Sequence, residues 1–193
     1  MSQILRLDQN GTPSEFISTR DAISYHATDS VAWQLGDALH TLYRGGHNCD
    51  GEQSKIWTAP IIATKGHAKK REARVPPVNN TRLFARDNYT CAYCGLTFKF
   101  HDLSADHIIP VSKGGQNVWM NVVTACKYDN NRKDNKTLEE AGMELLYLPY
   151  TPNRFEKLIL ETRQMLPIQA DYLKQFLPAN SKTLRVLESI TKH

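Results

Sequence analysis

The sequence predicts an α+β protein, and three observations carry that expectation. Strand-like runs punctuated by turn signals fill the first 64 residues, two short apolar runs flank a glycine loop between residues 103 and 126, and proline-separated helical segments follow residue 138. At 193 residues, 40% hydrophobic and 23% charged, the chain is long enough for one ordinary domain or two small ones and lies in the normal globular range.

Ile4 to Leu7 has a strand pattern and ends in Asn10-Gly11-Thr12-Pro13, a turn signal. Ser18-Thr19 can cap a helix from Arg20 to Ala27. Val31-Ala32-Trp33, Leu39 to Tyr43 and Lys55 to Thr64 read as β-rich, with Gly45-Gly46 breaking the run. Residues 1–64 are thus expected to form a small mixed sheet with one helix. Pro76-Pro77 cannot continue a helix, so 65–80 reads as a linker. A short helix over Thr81 to Arg86 opens the segment 81–146. Leu138 to Leu146, Asn153 to Met165, Ile168 to Leu177 and Lys182 to Thr191 read as helices, which makes 147–193 a helical extension.

Uncharged stretches such as Trp57 to Thr64 fall far short of the roughly 20 apolar residues of a membrane-spanning helix. The N-terminus lacks the basic start and long apolar middle of a secretory signal, so a cytoplasmic location is the default expectation. Net charge is +4, a mild tilt toward anionic partners. Its distribution is sharper: Lys65, Lys69, Lys70, Arg71, Arg74, Arg82 and Arg86 face only Glu72 between Thr64 and Arg86. Four cysteines, at 49, 91, 94 and 126, suit a metal site or free thiols better than disulfides in a reducing compartment.

Cys91-Ala-Tyr-Cys94-Gly95 has the spacing of a metal knuckle, in which two thiolates converge and glycine permits a tight turn. Cys126-Lys-Tyr-Asp129 repeats the ligand gap with Asp129 in the last position, and zinc accepts carboxylate oxygen. Cys91, Cys94, Cys126 and Asp129 are therefore candidate zinc ligands, with His101 and Cys49 as alternatives for the fourth. Between the knuckles lies a strand ending in Asp106-His107, followed by Lys113-Gly114-Gly115, Asn121 and Asn130. A carboxylate beside an imidazole suits metal-assisted hydrolysis, since one group can hold a cation while the other handles a proton.

The segment from Arg86 to Leu146 resembles an HNH endonuclease whose ββα-metal (His-Me) finger is built into a four-cysteine zinc ribbon. The signature histidine, asparagine and asparagine fall on His107, Asn121 and Asn130, separated by 14 and 9 residues, and Asp129 stands where a cysteine is usual. The resemblance implies a ββα-metal module on a zinc ribbon and a metal-dependent endonuclease that hydrolyses DNA phosphodiesters by a one-metal mechanism; RNA is the alternative nucleic-acid partner.

On that reading His107 is the general base, because a neutral imidazole can accept the proton of the attacking water. Asp106 and Asn130 would offer oxygen ligands to Mg²⁺ or Mn²⁺, and Asn121 would fix the loop that orients His107. Lys113, Arg132, Lys133 and Lys136 are expected to meet phosphates. The alternatives are a catalytically inactive zinc-ribbon nucleic-acid-binding protein and a zinc-stabilised interaction domain.

Overall fold

Residues 3–37, 41–66, 77–162, 165–178 and 181–191 are described by the computed structural model. Strands β1 (Ile4–Leu7) and β2 (Pro13–Ile17) pair antiparallel, Ile4 opposite Ile17. Their turn forms because the Asp8 carboxylate accepts from the amides of Asn10 (3.0 Å) and Thr12 (2.8 Å), while Gly11 takes φ 84°. Helix α1 (Thr19–Ala27) starts where expected, in a capping box: Ser18 Oγ accepts from the Asp21 amide and the Asp21 carboxylate from the Ser18 amide.

Strands β3 (Val31–Leu35), β4 (Thr41–His47), β5 (Gln53–Thr58) and β6 (Ile61–Thr64) follow. The principal sheet has the order β2-β1-β6-β3, with β1 and β6 parallel and the other pairs antiparallel. Its central strand β6 is buried throughout, which is why Ile61-Ile62-Ala63 is continuously apolar.

One expectation needs correction here. Gly45-Gly46 does not break the run. β4 continues to His47 and pairs with β5, absorbing the glycines in a register shift between Arg44 and His47. Lys55 to Thr64 is β-rich as expected, divided at Ala59-Pro60 into β5 and β6, Pro60 having no amide for a ladder. Of the predicted strand at Leu39 to Tyr43, residues 39 and 40 lie outside the described residues.

Next come α2 (Asn80–Arg86), β7 (Leu103–His107), β8 (Val122–Cys126), α3 (Lys127–Lys133), α4 (Leu138–Ala141), α5 (Arg154–Glu161), α6 (Pro167–Lys174) and α7 (Thr183–Thr191). The expected helix from Leu138 to Leu146 is only α4. Gly142 at φ 60° ends it, and the Leu146 amide donates instead to Ala92 O at 2.8 Å. α5 is shorter than the expected Asn153 to Met165, within which residues 163 and 164 lie outside the described ones.

The chain clusters into two compact units, Met1–Ala73 with Thr162–Leu177 and Leu187–His193, and Arg74–Glu161 with Pro178–Val186. The helical stretch after residue 147 is divided between them. In the first unit Gln169 of α6 is fully buried, its Nε2 donating to Gln3 O and Pro60 O, both at 2.8 Å.

In the second unit α2 is capped by Asn79, whose Oδ1 accepts from the Arg82 amide at 2.9 Å. It buries Leu83 and Phe84 against Leu103, Trp119 and Val122, each side chain contributing about 1.5–3 kcal/mol relative to exposure. Arg86 is fully buried beside them. Its guanidinium pairs with Asp87 and donates to the carbonyls of Trp119 (2.8 Å), Tyr150 (3.0 Å) and Val122 (2.9 Å). Asp87 in turn accepts from the Thr124 amide (3.0 Å) and hydroxyl (2.8 Å).

Each of the three described cations of the basic stretch has a carboxylate partner. Arg86 is internal, Arg82 pairs with Glu161 at 3.2 Å and Lys65 with Asp29 at 2.7 Å. Lys69, Lys70, Arg71 and Arg74 lie, with Pro76, outside the described residues.

Candidate functional site

Cys91 and Cys94 sit on a tight turn. The Gly95 amide donates to Cys91 O at 3.0 Å with Gly95 at φ 73°, and the Tyr93 amide points at Cys91 Sγ at 3.4 Å. Cys126 ends β8 and opens α3, its sulfur accepting from the Asp129 amide at 3.4 Å in place of the usual capping oxygen. The ligand atoms of Cys91, Cys94, Cys126 and Asp129 all lie within 4.8 Å of one another. A tetrahedral zinc site needs ligand separations of about 3.5–4 Å, which this cluster brackets, since Cys91 and Cys126 sulfurs lie 3.3 and 3.2 Å from Asp129 Oδ2 and no ligand pair exceeds 4.8 Å.

Cys91 and Cys126 donate to Asp129 Oδ2 at 3.3 and 3.2 Å. Burial pushes the Cys126 thiol up to about 12, and burial likewise raises Cys94. Burial also acts to raise Asp129, but the thiols of Cys126, Cys91 and Cys94 outweigh it and hold the carboxyl below its ordinary value. His101 is not in the cluster and pairs with Asp102, and Cys49 is exposed beside Asp50.

β7 and β8 pair antiparallel from Leu103↔Cys126 to His107↔Val122, and α3 follows β8 directly and packs on both strands. The connecting loop is held by Asn121. Its Oδ1 accepts from the Ile109 amide at 2.9 Å, and its Nδ2 donates to Ile109 O (3.1 Å) and Gln116 O (3.0 Å). Gly115 is obligatory there, since a Cβ would fall 1.8 Å from Ile109 O.

Strand and helix present matched faces. Ser104 and Asp106, two apart on β7, meet Asn130 and Lys133, three apart on α3. Asn130 Nδ2 donates to Ser104 Oγ at 2.9 Å. Lys133 Nζ lies 2.9 Å from Asp106 Oδ1 and 2.7 Å from His107 O. The other oxygen of Asp106 accepts from the Tyr93 hydroxyl, which burial first and this contact second raise well above the ordinary phenol range. His107 follows Asp106 on the strand, and its Nε2 is buried with no hydrogen-bond partner among the described residues.

Asp106 and Asn130 are therefore brought to facing surfaces, and their oxygen donors match a hard divalent cation in type. Both Asp106 oxygens are already engaged, however, so in this arrangement such an ion does not fit beside Lys133.

The four basic candidates behave differently. Arg132 and Lys136 are exposed, and Lys113 is exposed but paired with Glu140. Lys133 is corrected. It is 1% exposed, with its ammonium turned inward, and does not face a phosphate at the surface. Sequence reading missed the roles of Tyr93 and Lys133. The only available signal was the i, i+3 spacing of Asn130 and Lys133, which an ordinary polar helix face also shows.

Residues 91–146 match the family model described as HNH endonuclease. The Cys91, Cys94, Cys126 and Asp129 cluster occupies the four positions of the zinc-binding module. The chain has no match among the curated proteins with which it was compared. No helix of the described residues is long and apolar enough to cross a membrane.

Proposed function

We propose that this protein is an endonuclease of the HNH type acting on DNA, with RNA as a second possible substrate. β7, β8 and α3 would form its ββα-metal finger. Residues 1–64, 65–80, 81–146 and 147–193 would be its β-rich region, linker, nuclease module and helical extension. The observation that carries the reading is the buried Nε2 of His107 at the end of β7, without a hydrogen-bond partner among the described residues and followed by a loop that Asn121 ties down at three points.

In phosphodiester hydrolysis that nitrogen would take the proton of the attacking water, with His107 as general base. Asn121 would hold the loop, and so the imidazole, in position. Arg132, Lys136 and Lys113 would meet backbone phosphates around the scissile bond, a sequence-independent contribution that weakens with salt. Asp106 and Asn130, the expected oxygen ligands of Mg²⁺ or Mn²⁺, do not fit that ion as they stand, because Lys133 and Tyr93 take both Asp106 oxygens, and no step is assigned to it. Zinc held by Cys91, Cys94, Cys126 and Asp129 would be structural, tying the start of the segment to the start of α3.

Purified protein should convert supercoiled plasmid to open circles with Mg²⁺ or Mn²⁺ and stop on addition of chelator. The full engagement of Asp106 by Lys133 and Tyr93 favours one rival, a nucleic-acid-binding module without turnover. Plasmid binding that never yields open circles would establish that rival.

A further inference from the structure

Asp106 is 5% and Lys133 1% exposed, so the ion pair between them lies inside the second unit. A buried pair of this kind adds little net stability, because taking both charges out of water offsets most of their attraction, and apolar residues of similar volume often do as well. What it supplies here is geometry. The Lys133 ammonium bridges Asp106 Oδ1 at 2.9 Å and the carbonyl of His107 at 2.7 Å, while the Tyr93 hydroxyl donates to Asp106 Oδ2. Both arms of this grip grow from the four-ligand cluster: Tyr93 stands between Cys91 and Cys94, and Lys133 lies one turn after Asp129 on α3.

We propose that Asp106 is the anchor of a buried clamp, held by Tyr93 and Lys133, that fixes the end of β7 and with it the His107 imidazole, and that it is not a ligand of a divalent cation. The proposal rests on the assignment of His107 as general base. A hard cation would need an open carboxylate oxygen, and here a buried ammonium holds one oxygen while a phenol holds the other. Lys133 passes the constraint on, since one ammonium ties the carboxylate of Asp106 to the carbonyl of His107. Tyr93, Asp106 and Lys133 are therefore positioning residues that act through His107, and closure of the cysteine cluster sets where the two arms stand.

The test uses zinc-saturated, full-length protein as wild type, Tyr93→Phe, Asp106→Asn, Lys133→Met and the Tyr93→Phe, Asp106→Asn double variant. The His107 ring is followed by NMR with ¹³C-labelled histidine, and Mn²⁺ binding by calorimetry. The proposal expects Tyr93→Phe and Lys133→Met each to shift the His107 ring resonances, although the ring nitrogen Nε2 bonds neither side chain. It expects Tyr93→Phe to add nothing once Asp106 is replaced, because the two act as one unit. The Mn²⁺ titration of Asp106→Asn should superimpose on that of the wild type. Nicking by Lys133→Met at saturating plasmid should fall about tenfold to a hundredfold with plasmid affinity unchanged.

His107 resonances that stay in place in both variants overturn the proposal, as does Mn²⁺ binding that weakens about tenfold or more in Asp106→Asn. An additive effect of Tyr93→Phe on the Asp106→Asn background also overturns it, and so does a Lys133→Met protein that nicks as fast as an active wild type. If Lys133→Met does not fold, Tyr93→Phe, which lacks only the hydroxyl oxygen, decides the ring measurement. The two readings fail separately: a wild type that never nicks overturns the nuclease reading and leaves the clamp to NMR and calorimetry, whereas nicking with an unmoved ring in the variants does the reverse.

Discussion

Asn121 grips the peptide of Ile109 from both sides, its Oδ1 accepting from the amide at 2.9 Å while its Nδ2 donates to the carbonyl at 3.1 Å. The side-chain amide thus does what a neighbouring strand would do. It continues the β7–β8 ladder past His107 into the loop. The backbone of Asn121 adds a further bond, its carbonyl accepting from the Ile108 amide at 2.9 Å.

Asn121→Ala removes three side-chain hydrogen bonds from one loop. Hydrogen exchange at the Ile109 amide should accelerate, and stability should fall by about 1–3 kcal/mol. If His107 depends on that loop, nicking falls as well. Unchanged exchange at Ile109 would show that the loop holds itself.

His107→Ala should lower plasmid nicking by about 10² to 10⁴-fold, the usual contribution of a general base. Plasmid retention in a gel-shift assay should stay the same, because the imidazole carries no phosphate contact in the proposed scheme. A variant that nicks at the wild-type rate would remove His107 from the mechanism.

Zinc uptake must displace thiol protons, since a coordinating sulfur is a thiolate and burial pushes the Cys126 thiol up to about 12. Apparent zinc affinity should therefore rise steeply with pH, and titration in buffers of different ionisation enthalpy should count the protons released. Asp129→Cys completes a four-thiolate site and should raise both zinc retention and the melting temperature. Equal zinc content in the two purified proteins, by elemental analysis, would argue against Asp129 as a weak ligand.

Arg86→Ala strips the counter-charge from Asp87 and leaves the carbonyls of Trp119, Tyr150 and Val122 without that donor. A buried pair broken on one side costs about 3–5 kcal/mol, which urea denaturation followed by tryptophan fluorescence should show. A surface arginine would cost almost nothing, so the measurement separates the two placements cleanly.

The Lys113 ammonium, and after it the Thr137 amide, hold the Glu140 carboxyl below its ordinary value. The contribution of this exposed group to stability is present above its unfolded value near 4.5 and is lost as pH falls through the lower folded value. Glu140→Gln should flatten that part of the acid stability profile and leave neutral pH almost untouched. A profile that superimposes on the wild type would show that the Lys113 contact adds nothing.

What could be read in advance was local chemistry. Ser18, the Asn10-Gly11 turn and the paired Cys-x-x-ligand gaps act within a few residues, so their geometry is written in their spacing. Gly142 was equally local, a helix-ending glycine after Glu139-Glu140-Ala141, and the helix should have been stopped there. Lys133 and Arg86 were not legible, because a charged residue is assigned to the surface unless its partners are known. Those partners, Asp106 and the carbonyl of Tyr150, lie 27 and 64 residues away. Asn130 shared that difficulty, since contact with Ser104 depends on how α3 seats on β7.

The attachment of Gln169 to Gln3 O and Pro60 O has a temporal consequence. During synthesis the whole stretch from Arg74 to Glu161 leaves the ribosome before α6 exists, so the sheet of the first unit waits, incomplete, while the segment carrying the zinc-type cluster can already close. α6 can therefore settle against Gln3 and Pro60 only after the segment that carries the cluster has been made.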